Sequence, residues 1–185
     1  MIVVIANYRT GSSTLIKKLH GETGLKFFSQ YTGEWCHGFN GGYKKPDSDI
    51  KLYKIMPDNI GHNESLFKKE YLECADDLIF CLRKDIRAQV NSMMYSWAFD
   101  WWHPGKKLPD TRKTLTDYDN KVIIRTIINN LKLQKIWYKE FGGKIMFLED
   151  REDKHEKYDK HDTPDLLDIP DYDLEIVDAE EYFNE

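Results

Sequence analysis

The sequence predicts a three-layer α/β/α domain with a central parallel sheet, and three observations predict it. The chain opens on a continuous apolar β-branched run, Ile2-Val3-Val4-Ile5-Ala6, of the kind buried on both faces of a parallel sheet. A polar turn and a segment of helical period follow directly, and the same strand-turn-helix order returns at Leu78. Strands that alternate with helices are built into parallel sheets covered on both sides.

The elements follow in order. Residues 2–6 are the first strand, and Ser12 to His20 place Leu15, Ile16 and Leu19 at helical spacing, with Gly21 and Gly24 available to close the helix. Ile50 to Met56 is the second strand, stopped by Pro57, and Leu66 to Cys74 reads as helix. Leu78 to Leu82 is the third strand. Asp85 then caps a helix with Ile86, Val90, Met93, Met94 and Trp97 on one face. From Tyr95 to Leu108 the aromatic, turn-rich text predicts a loop outside the core. Val122 to Phe141 is a long helix ended by Gly142-Gly143, with Ile124, Ile127, Ile128 and Leu131 on one side, and Lys144 to Leu148 is the fourth strand. The expected organisation is an α/β domain over 1–150 and an acidic tail over 151–185. The tail packs as a strap or trails the domain, depending on whether its few apolar residues find a surface.

Composition narrows the function classes. A chain of 185 residues that is 41% hydrophobic and 14% aromatic can bury one domain's core. No stretch approaches the roughly 20 apolar residues of a membrane span, and the first run lacks a basic lead-in and a cleavage pattern. A soluble, unsecreted, cytoplasmic protein with no membrane partner is expected. Cys36, Cys74 and Cys81 are an odd set without a close pair, which fits neither a disulfide framework nor a zinc knuckle and predicts reduced, buried thiols. Of the 32 acidic residues, 16 lie in 149–185 beside only four basic ones, so that segment carries −12 and the preceding body, with 23 basic against 16 acidic, carries +7. A basic body suits an anionic ligand. Nucleic acid is not expected, because no recognition motif accompanies the charge.

The loop between the first strand and helix is where an open α/β sheet binds anions. A Walker A loop would read G-x-x-x-x-G-K-[ST]; the aligned stretch runs Ala6 to Ser13 and has Ser12 where the lysine belongs. The cation comes earlier, at Arg9, ahead of Thr10, Gly11, Ser12, Ser13 and Thr14. A plain alternative has Arg9 in a surface salt bridge and the hydroxyl run merely capping a helix. A second candidate anchor is Leu82-Arg83-Lys84-Asp85-Ile86-Arg87-Ala88-Gln89-Val90-Asn91-Ser92. Arg83 leaves a strand end there, and Gln89, Ser92 and Ser96 form a polar stripe opposite the apolar face. Arginine with a hydroxyl is good phosphate chemistry.

The first loop resembles the R-[ST]-G-S-[ST]-x-L phosphosulfate loop of sulfotransferases that use 3'-phosphoadenosine-5'-phosphosulfate (PAPS). Arg at the cationic position is similar to carbohydrate sulfotransferases, including the bacterial trehalose-sulfotransferase-like branch. Arg83, Asp85, Gln89 and Ser92 resemble that branch's R-R-D-x-x-x-Q-A-x-S pattern. The common cytosolic enzymes place the serine one residue earlier, which here is Asn91. Lys144 to Asp150 resembles the family's late strand ending in an E-D pair. The resemblance implies a P-loop-like fold. It implies PAPS held by residues 9–14 with Arg83 and Ser92 on the 3'-phosphate, 3'-phosphoadenosine-5'-phosphate (PAP) as product, and a small-molecule or carbohydrate acceptor.

Sulfonyl transfer is an in-line displacement, so positioning and charge stabilisation dominate, as in phosphoryl transfer. No metal is expected: the sulfonyl group carries less charge than a phosphoryl group, and no carboxylate or His cluster stands out. The resemblance implies a general base. In cytosolic members it is a His two residues after a strand-end Lys, which here would be Met56. In the carbohydrate branch it is a Glu after the first helix, which makes Glu34 the candidate, with His37 and His62 behind it. Trp35, Phe39, Trp97, Trp101 and Trp102 serve either the core or a flat acceptor. The late glycine-rich basic segment of cytosolic members has no counterpart here. Two other classes remain open from sequence: an ATP-using P-loop phosphotransferase, and a catalytically silent nucleotide-binding or interaction module.

Overall fold

The fold is described from a computed structural model, over residues 1–27, 45–60, 63–100, 112–152 and 172–185. Strand β1 (Ile2–Ala6) leads into helix α1 (Ser12–Thr23), and β2 (Leu52–Ile55) is followed by a 3-10 turn at Pro57–Asn59. Helix α2 (Glu64–Phe67) continues as a π-helical turn over Lys68–Leu72. Then come β3 (Asp77–Leu82), α3 (Ile86–Phe99), α4 (Asp117–Phe141), β4 (Lys144–Phe147), a 3-10 turn at Leu148–Asp150 and α5 (Ala179–Asn184). All strand pairs are parallel, in the order β2-β1-β3-β4. Phe27 bridges Leu52, also in parallel, on the edge of β2 away from β1.

Period-two alternation distributes the sheet's side chains to two layers. Val3, Ile5, Tyr53, Ile55 and Phe80 pack with Phe67, Tyr71 and Trp137 on one face. Val4, Ala6, Leu52, Ile79 and Cys81 pack with Leu15 and Ile16 of α1 on the other. The result is a three-layer α/β/α domain with a P-loop-like opening of strand, tight loop and helix. The chain leaves β1 for β2 on one side and then crosses to β3 on the other. The crevice between the carboxyl ends of β1 and β3 is therefore a topological switch point, where open α/β sheets bind ligands.

Several expectations change in the structure. Helix α3 does not give way to a loop at Tyr95; it runs to Phe99, whose ring is buried against Tyr95, and it ends at Asp100 in the left-handed conformation. Trp97 is thus a helical residue that packs beside the core, whereas Trp101 and Trp102 lie outside the described residues. Helix α4 starts five residues before Val122, because Thr116 and Asp119 form a reciprocal capping box. The segment begun at Leu66 starts at Glu64 and winds mostly as π-helix. Cys81 is buried but Cys74 is exposed, and both are free; Cys36 lies outside the described residues.

The end of the tail is a strap. Leu174, Ile176, Ala179 and Phe183 join the cluster formed by α3 and α4. The strap crosses the start of α3, with the Ile86 N–H donating to the Val177 carbonyl at 3.1 Å and the Ala179 N–H to the Lys84 carbonyl at 3.0 Å. Among the described residues, no helix is long and apolar enough to cross a membrane.

Candidate functional site

The loop after β1 has an unusual backbone. Arg9 has φ 60 and Gly11 has φ 68, while Thr10 between them is not left-handed. Alternation of this kind turns successive peptide N–H groups to one side as an anion-binding concavity. For a non-glycine residue such as Arg9 the left-handed conformation costs roughly 1–2 kcal/mol, so other contacts must hold it.

Those contacts come from every side. Buried Asn7, just past β1, donates through Nδ2 to the Ile127 carbonyl of α4 at 2.8 Å and accepts the Tyr8 N–H at 2.8 Å. Asn130, also on α4, donates to Asn7 Oδ1 at 3.4 Å and to Asp58 Oδ1 at 3.1 Å, and the Tyr8 hydroxyl donates to Asp58 Oδ2 at 3.0 Å. From α3, fully buried Gln89 donates to the Tyr8 carbonyl at 2.6 Å, and Ser92 Oγ accepts from Arg9 Nε at 2.9 Å. The polar stripe of α3 is therefore not a solvent face. Gln89 and Ser92 seat the loop, while Ser96, buried like Gln89, donates back to the Ser92 carbonyl at 3.0 Å.

The carbonyls of Asn7, Tyr8, Thr10 and Gly11 are taken up by donors of the protein. Asn7 O accepts from Thr10 Oγ1 at 2.8 Å, and Tyr8 O from Gln89. Thr10 O accepts from Cys81 Sγ at 3.2 Å and from Arg151 Nη1 at 3.4 Å. Gly11 O accepts from Arg151 Nη1 at 3.2 Å and from the amides of Thr14 and Leu15 at 3.1 and 3.2 Å. In contrast, among the described residues, the N–H groups of Thr10, Gly11, Ser12 and Ser13 meet no acceptor. Four donors at the positive end of α1, with the Thr10 and Gly11 carbonyls occupied behind, leave a surface that an anion or another acceptor can satisfy.

Two cations to which sequence reasoning gave no role in the site lie at the loop: Lys54, noted there only as the strand-end lysine before Met56, and Arg151. Lys54, half-buried on β2 on the same side as Leu52, donates through Nζ to Ser13 Oγ at 3.2 Å. Its signal in sequence was a lysine inside the apolar strand Leu52-Tyr53-Lys54-Ile55. Arg151 is 5% exposed and lies behind the loop; sequence assigned it to the tail because acidic residues surround it. Burial pushes the Cys81 thiol up from its ordinary value, with the Arg151 charge acting in the opposite direction. Asp58 is a third addition, an exposed carboxylate tied to the loop through Tyr8.

The second anchor is arranged differently from the simple pair. Ser92 faces Arg9, and Arg83 faces Glu149, its Nε 3.5 Å from Oε1 without an aligned hydrogen bond. No bond joins Arg83 to Ser92 among the described residues. Glu149 Oε2 also accepts the Lys84 N–H at 3.0 Å, so this carboxylate braces the turn after β3. The Arg83 terminal nitrogens keep no hydrogen bond among the described residues. Asp85 caps α3, its Oδ1 accepting the Ala88 N–H at 2.8 Å.

Glu34, His37 and His62, the candidate bases, lie outside the described residues, as do Trp35 and Phe39. Among the described residues, no three His, Cys, Asp or Glu side chains come together to hold a metal. Compared with known proteins, the chain matches no family model, no curated protein and no solved structure.

Proposed function

We propose that this protein is a sulfotransferase that moves the sulfonyl group of PAPS to an acceptor hydroxyl, in the manner of the carbohydrate branch. The observation that carries the reading is the donor face of the loop, four N–H groups beside Arg9 that meet no acceptor among the described residues, at the switch point of a parallel sheet. Such a face fits a phosphosulfate.

The proposed roles follow from placement. The loop amides, with Thr10 to Thr14, and Arg9 hold the phosphosulfate, and Lys54 adds positive charge beside Ser13. Arg83 offers its terminal nitrogens to the 3'-phosphate, with the Ser92 hydroxyl as a further donor. In the reaction the acceptor oxygen bonds to sulfur as the bond from sulfur to the 5'-phosphate oxygen breaks. The acceptor proton passes to a base, for which Glu34 is the candidate, and PAP leaves with the bond's electrons. Preorganised donors aimed at the developing charge on the leaving phosphate are the chief source of rate. A reducing, cytoplasmic setting is proposed on the free thiols of Cys74 and Cys81.

Calorimetric titration with PAP, ATP and 5'-AMP tests the reading. Selective binding of PAP, lost in Arg83→Ala, is the expected result; preference for ATP overturns it in favour of a phosphotransferase. Glu34→Gln is expected to keep PAP affinity and lose at least about 100-fold in PAP release from PAPS with a hydroxyl acceptor. Unchanged release removes Glu34 from the mechanism.

A further inference from the structure

We propose that Arg151 is a positioning residue of the anion loop, one that sets the direction of the Gly11 and Ser12 N–H groups by holding the carbonyls before them. The inference rests on the anion-binding part of the function proposed above. In a trans peptide the carbonyl of one residue and the N–H of the next point in opposite directions. None of the described peptide bonds is cis. Arg151 Nη1 draws the Thr10 carbonyl inward at 3.4 Å and the Gly11 carbonyl inward at 3.2 Å. The Gly11 and Ser12 N–H groups are thereby turned outward, toward the ligand side.

Burial explains why an arginine stands here. At 5% exposure a guanidinium is costly unless its N–H groups are taken up. The planar fork can place one nitrogen between two carbonyls with Cys81 Sγ 3.6 Å away. The same short segment closes the loop's back, because a Cβ built on Gly11 would lie 2.6 Å from Leu148 Cδ1 and 3.4 Å from Arg151 Nη1. Residues 148–151 are therefore the rear wall of the loop, and Arg151 belongs to the site, not to the tail.

The experiment compares wild type, Arg151→Met and Arg151→Lys by calorimetry with two probes, PAP and inorganic pyrophosphate, alongside thermal melts. Arg151→Met is expected to bind both probes at least about tenfold more weakly in its folded form, the scale of losing hydrogen bonds from a charged group. Arg151→Lys, which keeps the charge and loses the fork, is expected to fall between. A variant that melts lower but binds within twofold of wild type shows a merely structural residue and overturns the proposal. If Arg151→Met does not fold, Arg151→Lys decides: undiminished affinity overturns the proposal, and a loss of threefold or more supports it. Wild type that binds pyrophosphate and not PAP ends the sulfotransferase reading while the Arg151 comparison stands on pyrophosphate. Wild type that binds neither ends both.

Discussion

At the scale of single residues, the site is a matter of which backbone groups are already satisfied. Gln89 shows how much rests on one side chain: it is fully buried, and its Nε2 donates to the Tyr8 carbonyl at 2.6 Å. Gln89→Leu leaves that carbonyl without its donor, a cost of about 1–3 kcal/mol, and melts are expected to drop by several degrees. PAP affinity should fall with it, since Arg9 next in sequence loses its support; an unchanged melt and affinity would show the bond to be idle. Gly11 makes a second case. An alanine there meets both the left-handed φ of 68 and the Leu148 side chain at 2.6 Å. Gly11→Ala is expected to weaken PAP binding and stability, and adding Leu148→Ala should relieve the collision while the φ cost, roughly 1–2 kcal/mol, persists. Full recovery in the double variant would show the φ requirement to be absent. Arg9, Gly11 and Arg83 stood out in the sequence as candidates through their place between a strand and a helix, and Ser92 through its place on the polar stripe of α3. Lys54, Asp58 and Arg151 were given no place at the loop, because each reaches it across the fold, from 41, 50 and 140 residues away, and no local motif marks it.

At the scale of elements, periodicity was most legible where burial is complete. The run from Ile2 to Ala6 is β1 as read, since a central parallel strand is apolar on both faces and its ends are marked by polarity. Boundaries set by polar side chains were less legible. The loop expected to begin at Tyr95 is helix as far as Phe99, because Tyr95, Ala98 and Phe99 bury themselves in a small apolar cluster with Leu115 instead of breaking the helix. The early start of α4 depends on Thr116, which accepts the Asp119 N–H at 3.1 Å and donates to Asp119 Oδ2 at 2.8 Å. Thr116→Ala should destabilise by about 1 kcal/mol at neutral pH, read as a lower melting temperature. The pH dependence has a definite sign. The backbone and side chain of Thr116, aided by Lys113, hold the Asp119 carboxyl below its ordinary value of 3.8. Its contribution is thus complete above about pH 4 and is lost as pH falls through the depressed folded value. The gap in melting temperature between wild type and Thr116→Ala should therefore narrow on acidification below pH 4; a gap that widens there would show that the box does not act through the ionised carboxylate.

At the scale of the whole molecule, the question is what seats a strongly acidic segment on a basic body. Charge offers one answer: Lys84 Nζ meets Glu180 at 2.8 Å and Asp150 at 3.0 Å, and Lys132 meets Glu175 at 2.6 Å. These pairs are solvent-facing, and such pairs are typically worth about 0–1 kcal/mol each and are screened by salt. The apolar answer is larger. Phe183 is 6% exposed within the cluster of α3 and α4, and truncating a buried Phe to Ala costs about 3–5 kcal/mol. The strap should therefore be held chiefly by Leu174, Ile176, Ala179 and Phe183. Phe183→Ala is expected to lower the melting temperature by roughly 6–20 °C, while raising NaCl to 0.5 M should move wild type by only a few degrees. Because the strap bonds the Lys84 carbonyl and the Ile86 N–H, its loosening should reach the turn that carries Arg83. Amide exchange at Ile86 and Ala179 should quicken in Phe183→Ala and stay slow in wild type at high salt. The opposite pattern, tolerance of Phe183→Ala with release by salt, would make charge the fastening.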